Sequence, residues 1–309
     1  MAEVMESARG LAPPRRLAEA LGQREAGWSA GLPALVEEMC ARFALTWERV
    51  VEPGGRSSVA VLVRRADGSR AALKLLAPGG PGEPSPAVLE LAALRRWDGL
   101  GAVRALDAAP EAGALLLERL HGETSLRSLP DAKATLEAVS TLRRLWVEPG
   151  EGHPFPSVAE HTAAELPALR AAAASDAGPL VELALAARDE LLADPPEELL
   201  LHGDFRQGSV LASDAERARW LTVGPRPVVG ERAFDLARLV RDRLHDLMAS
   251  PGAAAIARRR VTRLADSVEA DPERLRRWAL YRGVASGVRQ SAAGRRTDGE
   301  ALFEFASWL

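Results

Sequence analysis

The sequence has only one cysteine, Cys40, so no disulfide bond can form within the chain. Its five histidines are scattered and show none of the spacings of a zinc site. No uncharged apolar run is long enough to cross a membrane, and residues 1–6 lack the basic and apolar segments of a signal peptide. These absences exclude a disulfide scaffold, and they predict a cytoplasmic protein with no membrane partner. Cys40 shares a helical spacing with Leu35, Met39 and Phe43, which predicts a small core residue.

Concentrated positive charge is also missing. The net charge is −3, the pI is about 6.1, and the basic residues are spread along the whole chain. Nucleic acid is therefore not an expected partner, because its recognition needs a concentrated basic face. The 309 residues, 47% of them apolar, are enough for one large domain or for two lobes with a sizeable core.

Lysine is almost absent: Lys74 and Lys133 are the only lysines among 40 basic residues. Lys74 ends the apolar, strand-like run Ala71-Ala72-Leu73. A compact ammonium on a flexible stem suits contact with nucleotide phosphates, which gives a reason to keep lysine in an arginine-rich chain. The alternative is a chance lysine at the end of a strand.

The first part of the chain predicts a small antiparallel sheet. Residues 1–27 carry many charges and no sustained apolar face, so we interpret them as an extension without an assigned function. Asp67-Gly68 is a hairpin turn signal between strand-like segments 59–65 and 70–76. A proline- and glycine-rich linker over 78–86 precedes a helical pattern over 87–97, which carries Glu90. A carboxylate there could pair with Lys74, whereas most helix glutamates are merely solvated.

Helical patterns dominate after the buried strand predicted over 114–120. A strand-rich part followed by a helix-rich part predicts an α+β fold. The predicted helices cover 131–146, 158–174, 180–193, 233–248, 253–270, 272–291 and 299–309.

The segment 199–211, Leu-Leu-Leu-His-Gly-Asp-Phe-Arg-Gln-Gly-Ser-Val-Leu, reads as a strand, a polar loop holding Asp204, and a second strand. Protein kinases build their catalytic loop in this way, with an aspartate that accepts the substrate hydroxyl proton and an asparagine five residues later that binds magnesium. Similar agreement extends to Trp97-Asp98-Gly99, Gly101-Ala102-Val103-Arg104 and the run Gly230 to Ala237. From about residue 28 to residue 309, the chain resembles the aminoglycoside phosphotransferase family, in the branch of the streptomycin and hydroxyurea phosphotransferases.

The resemblance implies a bilobal, protein-kinase-like fold, with an N-lobe over 28–118 and a helical C-lobe over 119–309. It also implies that Asp204 is the catalytic residue and that Lys74, Glu90 and Asp204 lie on elements lining a cleft between the lobes. The expected nucleotide-binding residues are Lys74, Glu90, Glu118 and Arg226, and the expected structural residues at the site are His202 and Asp235.

Both positions at which this family holds magnesium are changed. Ser209 stands where the catalytic loop has an asparagine, and Gly224 stands where a later strand usually reads hydrophobic-Asp-Pro-Lys-Gly. Magnesium prefers carboxylates together with phosphate oxygens, and glycine offers no side chain. The sequence therefore argues against an ordinary magnesium site. Arg206, Arg226 and Arg232 could supply guanidinium charge instead, or they could be surface arginines.

Three functions remain open at this stage. The first is a degenerate kinase, or pseudokinase, that binds a nucleotide such as ATP or another small molecule with little metal-dependent transfer, and that acts through binding or a protein partner. The second is an active antibiotic kinase that transfers the ATP γ-phosphate to a hydroxyl of streptomycin or a similar aminoglycoside. The third is a repurposed cleft with unrelated chemistry.

Overall fold

The computed structural model describes residues 12–21, 26–80 and 82–309. They form two compact units. The first comprises the described residues up to Thr124 together with Leu211–Val223, and the second comprises Ser125–Val210 and Gly224–Leu309. Of the predicted extension 1–27, residues 1–11 and 22–25 lie outside the described residues.

The first unit is built on a five-stranded antiparallel sheet in the order β1-β2-β3-β5-β4. The predicted hairpin is present: Arg64 pairs with Arg70, Gly68 has a φ of 82°, and the Asp67 side chain accepts a hydrogen bond from the Ser69 amide at 2.9 Å. The strands are β1 (Leu45–Val50), β2 (Ser58–Arg65), β3 (Arg70–Leu76), β4 (Ala105–Ala109) and β5 (Ala114–Glu118).

Among its described residues, this unit has three α-helices: α1 (Arg15–Leu21), α2 (Ala26–Arg42) and α3 (Pro86–Trp97). Within the predicted extension, α1 buries Leu17 completely in the core that also contains Leu32 of α2 and Val61 of β2. Cys40 packs against the same core, as predicted, and burial raises the pKa of its thiol to about 11.

A small second sheet has the order β6-β8-β9, with strands β6 (His121–Ser125), β8 (Val210–Ala212) and β9 (Trp220–Thr222). Except for Ser125 and Val210, its strands belong to the first unit. Thr222 joins that unit through its backbone, because its amide donates to the Gly101 carbonyl at 2.9 Å and its carbonyl accepts from the Val103 amide at 3.0 Å.

The second unit is mainly helical, with one short antiparallel pair formed by β7 (Leu199–Leu201) and β10 (Val228–Gly230). Together with the first unit, it confirms the predicted α+β class. Its helices are α4 (Asp131–Leu145), α5 (Val158–Ala163), α6 (Leu166–Ala172), α7 (Gly178–Ala193), α8 (Arg232–Val240), α9 (Leu244–Met248), α10 (Ala253–Ser267), α11 (Pro272–Ala292) and α12 (Arg296–Ser307).

Two predicted helices are each broken into two. The pattern over 158–174 separates into α5 and α6 just before Pro167, because proline has no amide hydrogen to donate to the carbonyl of Ala163, four residues earlier, and its ring crowds that carbonyl. The pattern over 233–248 is interrupted at Arg243, whose φ of 55° is left-handed and cannot continue a helix. Across the described residues, no helix combines the length and the apolar character needed to cross a membrane.

Candidate functional site

The loop that carries Asp204 is held in place by backbone contacts within the second unit. It leaves the buried strand β7 at His202 and turns at Gly203, which has a φ of 78°. A Cβ atom at Gly203 would lie 1.9 Å from the Arg226 carbonyl oxygen, so only glycine fits. The Arg226 amide in turn donates to the His202 carbonyl at 2.8 Å. The loop and the segment before β10 are therefore fixed against each other.

Asp235, on α8, is hydrogen-bonded to the backbone of this loop. Its carboxylate is fully buried and accepts hydrogen bonds from the His202 amide at 2.8 Å and the Gly203 amide at 2.7 Å. The Trp146 indole lies at hydrogen-bond distance of the same carboxylate, at 3.4 Å. Burial raises the pKa of Asp235, although the two amides and the Arg282 guanidinium favour its ionised form. Asp235 therefore fixes the backbone of this loop at His202 and Gly203.

Asp204 follows directly, with its carboxylate about one-third exposed. Its amide lies 3.3 Å from His202 Nδ1, and its Oδ1 lies 3.3 Å from Arg238 Nε. Burial opposes ionisation of this carboxyl, but the guanidinium groups of Arg238, Arg206, Arg282 and Arg226 outweigh it and hold its pKa at about 2. The carboxylate is therefore ionised at neutral pH and can orient a hydroxyl group.

This low pKa makes Asp204 a source of stability in a defined pH range. Because the folded pKa lies below the ordinary value of 3.8, the contribution is complete above about pH 4 and is lost as the pH falls towards about 2. We expect the free energy of unfolding of Asp204→Asn to fall less steeply over this range than that of the parent. Urea unfolding at several pH values measures both slopes, with exposed Asp176→Asn as the control. Equal slopes for the parent and Asp204→Asn would contradict the assigned pKa.

Arg282, on α11, is a site residue that the sequence analysis missed. Its guanidinium donates to the Gly203 carbonyl at 2.6 Å and to the Phe234 carbonyl at 2.7 Å, and it lies 4.2 Å from the centre of the Phe234 ring. Burial, followed by the charge of Arg238, lowers its pKa. One arginine among 38 carries no sequence signal that separates it from the others.

Neither of the two expected metal positions, 209 and 224, has a carboxylate or an amide side chain. Ser209 is buried and closes the turn on Arg206, since its hydroxyl donates to the Arg206 carbonyl at 2.8 Å and accepts from the Arg206 amide at 3.2 Å. Gly224 has a φ of 68° and no side chain. Among the residues that the structure describes, no group of three or more histidine, cysteine, aspartate or glutamate side chains could hold a metal ion.

The three arginines near the expected phosphate site have different surroundings. Arg206 and Arg226 are exposed, and both lower the pKa of Asp204. Arg232 is instead committed to Glu197, which it contacts through its Nε at 2.8 Å and its terminal nitrogen at 2.6 Å. Arg232 is therefore a structural residue.

In the first unit, Lys74 and Glu90 form the predicted ion pair. Lys74 lies on β3, between β2 and β5, and its Nζ donates to the two Glu90 carboxylate oxygens at 2.7 and 2.5 Å. The Glu90 side chain is only 1% exposed and that of Lys74 is 13% exposed. The pairing keeps both charges compensated away from water. Contact of Lys74 and Glu90 with a nucleotide stays a prediction.

The Glu118 carboxylate, at the end of β5, is bound within the same unit. It accepts a hydrogen bond from the Arg104 amide at 2.8 Å and forms an ion pair with Arg217, whose Nε donates to the Gly99 carbonyl at 3.1 Å. Glu118 therefore ties β5 to segments from two other parts of the unit. Its expected contact with a nucleotide stays a prediction.

Comparison with known proteins identifies related sequences over most of the chain. The profile of a family described as aminoglycoside/hydroxyurea antibiotic resistance kinase matches residues 43–294. A streptomycin 6-kinase of Streptomyces glaucescens is 33% identical over 294 residues, which cover 94% of this chain and 91% of the relative. A hydroxyurea phosphotransferase of Kitasatospora aureofaciens is 37% identical over 266 residues, covering 82% of this chain and 72% of the relative.

Solved structures confirm the kinase-like fold. A choline/ethanolamine kinase family protein from Mesorhizobium loti superposes with a TM-score of 0.59 at 18% identity, covering 88% of this chain and 94% of that protein. The choline kinase LicA from Streptococcus pneumoniae gives a TM-score of 0.58 at 12% identity, covering 89% of this chain and 96% of that protein.

Proposed function

Because the chain belongs to the aminoglycoside/hydroxyurea antibiotic resistance kinase family, we propose that it is a member that has lost its magnesium ligands, binds a nucleotide or another small molecule, and transfers phosphate poorly. The observation that carries this proposal is Gly224, which offers no ligand where the family pattern has an aspartate. Ser209 offers only a neutral hydroxyl at the second position, and that hydroxyl is already hydrogen-bonded to the Arg206 backbone.

The charges around Asp204 support the same proposal. In a magnesium-dependent phosphotransferase, metal ions neutralise the charge that develops on the transferred phosphate. Here the nearby positive charge comes from Arg238, Arg206, Arg282 and Arg226. Guanidinium groups can hold phosphate oxygens by charge-assisted hydrogen bonds, but they do not coordinate the β- and γ-phosphates as a shared metal ion does. Removal of one preorganised electrostatic group typically lowers a rate about 10²- to 10³-fold.

Nucleotide binding without metal is the first test. We expect ATP to bind the parent with the same affinity in magnesium and in EDTA, because no residue at position 224 can hold the metal. Lys74→Met should weaken ATP binding about tenfold or more, since it removes a charged phosphate contact. Calorimetric titration measures both effects, and Lys133→Met is the matched lysine control. A tenfold tighter affinity in magnesium for the parent would overturn the loss of the metal site.

A second function is favoured by the similarity to the streptomycin 6-kinase of Streptomyces glaucescens. Under it, the protein would be an active antibiotic kinase that phosphorylates a hydroxyl of streptomycin or a similar aminoglycoside, with Asp204 orienting that hydroxyl and the metal held in another way. Measured transfer to streptomycin distinguishes the two functions.

A further inference from the structure

A cavity of about 250 Å³ lies in the second unit and shares Arg206 and Arg238 with the surroundings of Asp204. Five arginines and three aspartates line it, so its wall carries a net charge of +2 with His245 neutral. The five arginines are Arg127, Arg206, Arg238, Arg241 and Arg243.

Arg241 is a buried residue of this cavity whose guanidinium has a hydrogen-bond donor left unsatisfied by the described residues. It is only 7% exposed, and one terminal nitrogen donates to the Ser286 hydroxyl at 2.8 Å. Its Nε is buried and has no hydrogen-bond partner among the described residues. Burial and the neighbouring guanidinium groups of Arg238 and Arg282 lower its pKa well below the ordinary value. The Asp204 carboxylate acts in the opposite direction, but the hydrogen bond of Arg241 is to a neutral hydroxyl, and a hydrogen-bonded anion would stabilise this buried charge further.

Other guanidinium groups in the cavity also retain hydrogen-bonding capacity. The buried Nε of Arg238 lies 3.3 Å from Asp204 Oδ1 without making a hydrogen bond. The exposed side chains of Arg127 and Arg206 form no ion pair with any described residue. Arg243 differs, because it donates to Gln207 Oε1 at 2.8 Å and to the Leu129 carbonyl at 2.7 Å, and so it shapes the wall.

The carboxylates of the cavity do not cancel this positive charge. Asp242 already accepts a hydrogen bond from the Gln207 amide at 2.6 Å, and burial raises its pKa, which disfavours its charged form. Asp246 is exposed and Asp298 is half-buried in the first turn of α12. Two of the five guanidinium groups are also ion-paired with carboxylates beside the cavity, Arg238 with Asp204 at 3.3 Å and Arg243 with Asp131 at 3.5 Å. The buried guanidinium of Arg241 and the exposed ones of Arg127 and Arg206 are the positive charges left for a ligand.

We propose that this cavity binds a small molecule through a phosphate monoester dianion. The buried guanidinium of Arg241, the half-buried one of Arg238 and the exposed ones of Arg127 and Arg206 donate hydrogen bonds to the phosphate oxygens. A phosphate monoester carries close to two negative charges at neutral pH, and guanidinium groups bind phosphate oxygens in pairs. A polyamine such as an aminoglycoside carries the opposite charge and meets electrostatic repulsion. This inference rests on the proposed function in one respect: it assigns a ligand class to the small-molecule binding that the proposed function includes.

The test is calorimetric titration of the full chain, in EDTA and without nucleotide, with inorganic phosphate, glucose 6-phosphate, glucose and streptomycin in turn. We expect phosphate and glucose 6-phosphate to bind, and we expect glucose and streptomycin not to compete with them. Tighter binding of glucose 6-phosphate than of inorganic phosphate would identify a phosphorylated small molecule as the ligand, and equal binding would identify free phosphate. Absence of binding by both phosphate compounds, or displacement of phosphate by streptomycin, would overturn the proposal.

Variants localise the binding. Arg241→Gln should weaken phosphate binding about tenfold or more, and Arg206→Gln several-fold, because each loses a charge-assisted hydrogen bond. Arg144→Gln, an exposed arginine on α4, is the control and should bind like the parent. If Arg241→Gln does not fold, Arg206→Gln and Arg127→Gln decide the question, since both side chains are exposed. Equal losses in Arg144→Gln and Arg206→Gln would overturn the site. Transfer to streptomycin is measured separately, so its presence would refute the proposed function without removing the phosphate site.

Discussion

The double variant Gly224→Asp, Ser209→Asn is expected to bind ATP about tenfold more tightly in magnesium than in EDTA, whereas the parent should show no difference. It restores one carboxylate and one amide oxygen, which are the oxygen ligands that magnesium accepts beside nucleotide phosphates. Aspartate tolerates the left-handed backbone at position 224, where φ is 68°, better than most residues. Each single variant should show a smaller response, because each supplies only one ligand.

Calorimetric titration of ATP with and without magnesium measures this response. Gly252→Asp is a matched control, since it adds a carboxylate at another left-handed glycine of the second unit, with a φ of 73° and no neighbouring atom within 4 Å of its Cβ position. That control should behave like the parent. A folded double variant with the parent's metal response would show that position 224 does not belong to a former metal site.

Asp235→Ala is expected to lower the free energy of unfolding by about 3–5 kcal/mol. The change leaves the buried amides of His202 and Gly203 without their acceptor, and it removes one of the negative charges that favour the charged form of Arg282. Asp235→Asn should lose less, because its one carbonyl oxygen can still accept from one of the two amides.

Urea unfolding measures these losses. Exposed Asp176→Ala is the control and should change stability by no more than about 0.5 kcal/mol. Equal stability of Asp235→Ala and the control would contradict the structural role that we assign to Asp235.

The parts of the fold that follow local rules could be predicted from the sequence. The turn at Asp67-Gly68 has a conformation that glycine accepts readily, so the hairpin was predictable. Lys74 stood out because lysine is rare in this chain, and its partner Glu90 followed from the helical pattern after the linker. The loop that carries Asp204 was recognisable because a buried strand leads directly into His202-Gly203-Asp204.

The features that the sequence did not predict depend on long-range contacts. The break at Arg243 arises because its guanidinium binds Gln207 and the Leu129 carbonyl, and no local pattern encodes that contact. Arg282 shares α11 with the exposed Arg289, and Arg241 directly follows α8, so residue type alone could not identify either of them as a residue of the site. The break before Pro167 is different, because it has a local cause that is visible in the sequence: proline lacks the amide that a continuous helix needs there, although the regular apolar spacing favoured a single helix.

Phosphate transfer from radiolabelled ATP to streptomycin, at saturating magnesium or manganese, tests the central claim most directly. The parent is assayed beside the streptomycin 6-kinase of Streptomyces glaucescens, with thermal unfolding to establish that both samples are folded. The proposed loss of the metal ligands predicts transfer at least about 10²-fold slower than that of the relative, and no acceleration when magnesium is added. Transfer at a rate comparable to that of the relative would contradict the account and identify the protein as an active antibiotic kinase.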